Sequence, residues 1–176
     1  MLYVFVFHIQ GFFVSHSLGG GTGSGFTSLL MKNLSAEYGK RPRLQFSILP
    51  SPQLGSSVVD PYNTVLATHA MINHVGCSFL MDNEALYKIC SNQLDVEKVS
   101  FPNLNRMVAN VVSSVTASLR FDGDLNFDIT DAATSLVPFP RVHFPVVGYA
   151  PVVPAALAGH QQDSIADITE AQKDSL

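Results

Sequence analysis

Tryptophan is absent from this sequence, cysteine occurs only twice, and Asp, Glu, Lys and Arg together make up 14% of the 176 residues. Ordinary soluble domains carry roughly 25% charged residues, so too few charges are available here to cover a whole surface, and some apolar face is expected to meet a partner. The longest cationic cluster is Lys40-Arg41-Pro42-Arg43 and the net charge is −4, which leaves nothing to neutralise a row of phosphates and argues against a nucleic-acid partner. Cys77 and Cys90 stand without CxxC spacing or the density of a secreted framework, and they read as reduced, buried thiols of a cytosolic protein. No basic residue precedes the apolar run Leu2 to Phe7 and no cleavage signature follows it. His8 and Gln10 interrupt it well short of the ~20 apolar residues that span a bilayer, so no membrane segment is expected. No metal site is read from the histidines either. His69 and His74 cannot share a helix face, and His16, His143 and His160 have no companion spacing, which leaves structural or interfacial roles.

What is present is an alternation of strand and helix patterns. Gly11 to Ser17 reads as a short strand running into Leu18-Gly19-Gly20-Gly21-Thr22-Gly23-Ser24-Gly25. A helix follows with Phe26, Leu29, Leu30 and Leu34 on one face, ended by a left-handed cap at Gly39. Leu44, Phe46 and Ile48 alternate as a second strand should. Pro50, Pro52 and Gly55 make a loop, after which Asp60 is expected to cap a helix that starts at Pro61 and runs to about His74. Cys77 to Met81 predicts a third strand ending at Asp82-Asn83, and Glu84 to Cys90 a short helix. Leu104, Met107, Val108, Val111, Val112, Val115 and Leu119 recur at three- and four-residue steps, predicting a core helix of roughly 30 Å over 101–120. Pro138 and Pro140 bracket a loop, Val142 to Tyr149 reads as a later strand, and a short helix begins at Ile165. The expected fold is α/β, with a mainly parallel sheet flanked by helices, a long central helix and the start of a second α+β domain.

Five glycines in the stretch Gly19 to Gly25 permit positive φ and close backbone approach, so successive amides can point at an anion just before a helix N-terminus. A phosphate chain fits that description, with Thr22 and Ser24 offering hydroxyls. No lysine follows to complete GxxxxGK[ST], and the glycines at 19, 20, 21, 23 and 25 do not match GxGxxG, so neither common nucleotide fingerprint applies.

The string GGGTGSG resembles the signature loop of tubulins and their bacterial filament-forming relatives, which grip GTP phosphates without a P-loop lysine. The resemblance runs from about Gln10 to the C-terminus through Val59-Asp60-Pro61-Tyr62-Asn63, Met81-Asp82-Asn83-Glu84-Ala85 and Asn103-Leu104-Asn105-Arg106. Phe121-Asp122-Gly123 and Gly25-Phe26-Thr27-Ser28-Leu29-Leu30 look like the alpha type. The resemblance implies a GTP-binding structural subunit of microtubules that pairs with a beta-tubulin-like subunit, joins the microtubule lattice in the cytoplasm, and takes part in GTP hydrolysis. By the same resemblance Gly19, Gly20, Gly21, Thr22, Gly23 and Ser24 hold phosphate, and Ser56 and Asp60 lie on the sugar side. Asn83 and Asn105 read guanine, Phe101 stacks on the base where the family has tyrosine, and Mg2+ accompanies the nucleotide. Asp131, in place of a family glutamate, is the acid implied to orient water at the nucleotide of the next subunit. Asn83 and Asn105 suit the base because a carboxamide offers both a donor and an acceptor.

On this basis residues 1–10 form an apolar leader outside the family pattern. Residues 11–122 form a partial nucleotide domain that includes the helix over 101–120, and residues 123–176 begin an intermediate domain. The family's first strand, loop and helix would precede the matched region, so a strand edge is expected to stand exposed. Two other readings remain open at this point: a translated remnant without activity, and a doubly wound nucleotide- or dinucleotide-dependent enzyme.

Overall fold

The computed structural model describes residues 9–39, 41–52, 57–124, 128–154, 157, 159–160 and 164–174. Three parallel strands, β1 (Phe12–Ser17), β2 (Arg43–Leu49) and β3 (Cys77–Asp82), lie in that order, with Phe12 opposite Arg43 and Leu44 opposite Cys77. Helix α1 (Thr27–Glu37) connects the first pair and α2 (Asp60–Met71) the second. Parallel neighbours require such crossovers, because a hairpin cannot reverse the chain twice. The α/β expectation holds. Among the described residues β1 pairs with a strand on one side only.

Side-chain alternation divides the sheet into two unlike faces. On one, Leu44, Phe46, Cys77, Phe79 and Met81 are buried with Val111 of α4 (Phe101–Val115) and with Ile129 and Ala132 of α6 (Ile129–Leu136). Phe46 is stacked on Phe79 with ring centres 4.8 Å apart and tilted against Phe13 at 5.0 Å. The opposite face carries Leu18, Met31, Ala67, Met71 and Val75 between α1 and α2. Its centre is polar: Gln45, Ser47 and Ser78 are buried there, bonded to one another. β2 is buried on both sides, as the middle strand of a sheet covered on both faces should be.

Helix α3 (Asn83–Asn92) follows β3 directly, and the Asp82 carboxylate caps it by accepting from the Glu84 amide at 3.0 Å. Asn83 is therefore the first residue inside the helix and Asp82 is the cap. Cys90 of α3 donates its thiol to the Met107 sulfur of α4 at 3.3 Å, which joins the two helices. Both cysteines are buried and free, and burial pushes the Cys77 thiol up to about 11. The thiolate, the nucleophilic form, is thus unavailable at neutral pH.

Several expectations are corrected. Gly39 has no left-handed φ, and Tyr38 closes α1 by donating its amide to Leu34 O at 2.8 Å. Asp60 makes no side-chain cap; it is the first residue of α2, with Val59 at the cap position. The long helix stops at Val115, because the Thr116 hydroxyl folds back to Val112 O at 2.8 Å, and a single turn, α5 (Ala117–Arg120), follows. Val142 to Tyr149 forms no strand. His143 and Pro145 carbonyls accept the Ser78 and Leu80 amides at the free side of β3, and Val146 makes a single bridge to Leu80, while Pro140 and Pro145 remove donors that a ladder would need. His143 is fully buried and stacked on Phe144, and desolvation lowers its pKa. The expected helix from Ile165 is present as α7 (Ile165–Asp174).

Candidate functional site at the carboxyl edge of the sheet

Parallel strands bring their carboxyl ends to one edge, where open α/β sheets bind ligands. The segments that follow β1, β2 and β3 lead there to the glycine turn, to Asp60 and to Asn83 respectively. The turn is wound differently from the sequence expectation. No described glycine has positive φ; Leu18 to Gly20 bend, and a π-helical turn, Thr22–Phe26, runs without a break into α1. Glycine is needed at position 23 for room. A Cβ there would overlap the Ser17 carbonyl oxygen, because the first turn of the helix lies directly on the end of β1. At Gly20 and Gly21, by contrast, nothing lies within 4 Å of where a Cβ would be, and both residues are exposed.

Every carbonyl from Gly19 to Gly21, and that of Gly23, is held inward by a side chain. Asn63 Nδ2 of α2 donates to Gly19 O at 2.8 Å. The Ser24 hydroxyl donates to Gly20 O at 2.7 Å with a longer branch to Gly21 O at 3.3 Å, and the Ser24 amide also donates to Gly20 O. His16 Nδ1 lies 2.7 Å from Gly23 O. With the carbonyls turned in, the amides of Gly21, Thr22 and Gly23 are the first-turn donors for which a helix has no internal acceptor. Exposed donors at the positive end of a continuous helix form a site for an anion. Ser24 is buried and its hydroxyl faces backbone, so the free hydroxyl of the pair is that of exposed Thr22.

Asp60 meets the same turn, since a Cβ on Gly19 would lie 3.1 Å from its Cγ. A carboxylate accepts hydrogen bonds, which suits a sugar hydroxyl and not a phosphate. On its outer side Asp60 borders an open cleft of about 430 Å³ walled by Pro50, Ser51, Pro61, Thr64 and Val65. Those walls are mostly carbon, whereas the unpaired backbone amides lie on the turn side. Ser56 lies outside the described residues. Asn83 is half-buried, Asn105 is exposed, and Phe101 is 69% exposed one helical turn before Asn105, so the last two share a face of α4. Asp131 is exposed in the first turn of α6, where its Oδ2 accepts the Asp128 amide at 3.3 Å in a capping box. Asn63 and His16 are the site residues that the sequence did not single out, and their contacts span 44 and 7 positions respectively.

Among the described residues, no helix is long and apolar enough to cross a membrane, and no three His, Cys, Asp or Glu side chains gather to hold a metal. Asn83, Asp60 and the whole glycine turn fall within the stretch that matches a known family model, whereas Phe101, Asn105 and Asp131 fall beyond it. That model is the Tubulin/FtsZ family, GTPase domain, and the match covers residues 6–91 of this chain.

Proposed function

We propose that the chain binds GTP at this edge as part of an alpha-tubulin-like subunit. The amides of Gly20 to Gly23 and the Thr22 hydroxyl take the phosphates, Gly19 and Ser24 shape the turn, and Ser56 and Asp60 lie on the sugar side. Asn83, Asn105 and Phe101 take the guanine. The single observation that carries this reading is the inward tethering of the Gly19, Gly20, Gly21 and Gly23 carbonyls, which presents the opposite, donor side of the turn to an anion. Mg2+ would accompany the bound nucleotide and offset the charge of its phosphates, although among the described residues no three His, Cys, Asp or Glu side chains gather to hold it. The partners are a beta-tubulin-like subunit and the microtubule lattice in the cytoplasm. Equilibrium binding of labelled GTP, together with co-sedimentation with microtubules, tests the reading; a folded chain that does neither refutes it.

Gly21→Asp gives a sharper result. Gly21 has φ −59° and ψ −40°, open to any residue, and aspartate at a helix start is favourable. Thermal stability is therefore expected to hold or rise, while GTP affinity falls at least about tenfold relative to Gly21→Asn, a difference of about 1.4 kcal/mol. Paired titrations of the two variants check this.

Asp131 is proposed as the acid that orients water at a neighbouring subunit's nucleotide. Asp131→Asn is expected to lower partner-stimulated GTP hydrolysis by about a hundredfold. As the capping contact is long and exposed, stability should change by less than about 1 kcal/mol. Phosphate release assayed with the partner subunit, beside a denaturation curve, separates catalytic loss from unfolding.

A further inference from the structure

The polar centre of the α1/α2 face of the sheet touches the glycine turn through one side chain. His16, in β1, places Nδ1 2.7 Å from Gly23 O and Nε2 3.1 Å from Ser47 Oγ. A carbonyl can only accept, so Nδ1 carries the hydrogen, and in the neutral ring Nε2 accepts the Ser47 hydroxyl. Behind Ser47, the Gln45 amide donates to Ser47 Oγ at 2.8 Å and to Ser78 Oγ at 3.1 Å, with both hydroxyls within 3.1 Å of each other. These three residues are almost wholly buried, and Gln45 Oε1 has no partner among the described residues. Protonation of Nε2 turns an acceptor into a donor against a hydroxyl that already accepts from Gln45. The Ser47 proton must then rotate toward Ser78, and the first turn of the helix, fastened to the other side of the ring, feels the change.

We propose that His16 is a positioning residue which fastens the Gly23 carbonyl and couples anion binding at the turn to uptake of a proton on its own imidazole. The coupling rests on the proposed nucleotide site; the fastening does not. In the free protein, burial holds the imidazole below its ordinary pKa, an effect opposed by the Gly23 carbonyl that accepts from Nδ1. Other charges do not account for its state. On α1, Lys32 and Glu37 are exposed; on α2, His69 is exposed and Asp60 lies against Gly19. On β2, Arg43 is bonded to His74 O at the far end of the strand, and on β3 Cys77 packs in the opposite core while Asp82 caps α3. A polyphosphate on the neighbouring amides brings the missing negative charge and favours the imidazolium. By linkage, the proton in turn favours the anion.

The sign follows. A histidine whose folded pKa lies below its unfolded value opposes folding once protonated, so unliganded stability is lost as pH falls below the unfolded pKa, and bound GTP should reduce that loss.

Nuclear magnetic resonance of the full chain tests both halves. Without nucleotide, the Gly23 and Ser24 amides are expected to titrate with the same midpoint as the His16 Cε1 proton, and to lose that titration in His16→Gln. Amides that ignore the ring overturn the inference whatever GTP does. On saturation with GTP the ring midpoint is expected to rise by about 0.5, a threefold change in proton affinity. GTP that binds without moving it overturns the coupling. Absence of GTP binding, with amides still following the ring, refutes the nucleotide site and upholds the fastening.

Discussion

Gly23→Ala is expected to lose GTP binding and to destabilise the chain by about 3 kcal/mol. The added methyl falls on the Ser17 carbonyl oxygen and close to its carbon and nitrogen, all backbone atoms of a strand end paired with β2. Nothing flexible can give way, so the first turn of the helix must lift. Lifting it breaks the His16 contact to Gly23 O and disturbs the Ser24 contacts to Gly20 O. Overpacking of this kind costs about 1–3 kcal/mol and each lost buried hydrogen bond about 1 kcal/mol more, against a helix-propensity gain of about 1 kcal/mol for alanine. For a chain of this size the net loss corresponds to a melting temperature lower by roughly 10 °C. Urea denaturation followed by circular dichroism, with GTP titration below the transition, measures both effects. An alanine variant as stable as the parent, with unchanged affinity, would show that the helix start does not rest on the strand end.

Phe46→Ala separates stability from binding. Phe46 is fully buried at the middle of β2, sandwiched between Phe13 and Phe79. Removing such a ring costs about 3–5 kcal/mol through lost transfer energy and an unfilled cavity. Its neighbours Gln45 and Ser47 point to the other face, toward His16 and the turn. The fraction of Phe46→Ala that remains folded should therefore bind GTP as the parent does, and Phe46→Leu should recover most of the stability. Denaturation midpoints for the three proteins, with affinities measured at low temperature, check this. Equal losses of affinity in Phe46→Ala and Gly23→Ala would mean that the two faces are not independent.

The βαβ units were legible in the sequence because their signals are local: alternating Leu44, Phe46 and Ile48, Pro61 in the first turn of a helix, and the apolar steps of 101–115. The glycine turn was legible as a tight connection from strand to helix, and one of the two reasons given for it holds. Of the two freedoms that glycine offers, positive φ is unused, since the backbone stays right-handed, and close backbone approach is used at Gly23 against Ser17. What orients the turn comes largely from other elements, since Asn63 reaches Gly19 from α2 and His16 reaches Gly23 from β1. Nothing in a linear pattern reveals those contacts. The same holds for Gln45, Ser47 and Ser78, which interrupt apolar strands for no local reason and find one another only across the assembled sheet. One boundary was misplaced by a side chain competing for backbone, the Thr116 hydroxyl ending α4 at Val115. The segment expected as a strand at Val142 to Tyr149 carries Pro145 in its middle, where a ladder donor is lost, and it lies against β3 through two accepted bonds and one bridge.

Phosphate recognition by the turn is tested most directly by amide spectra of the uniformly labelled chain titrated with GTP and, separately, with guanosine. The largest GTP-dependent shifts should fall on Gly20, Gly21, Thr22 and Gly23, and guanosine should leave those four amides nearly unmoved. GTP shifts centred elsewhere in the chain, or equal shifts with guanosine, would contradict the assignment of the phosphates to this turn.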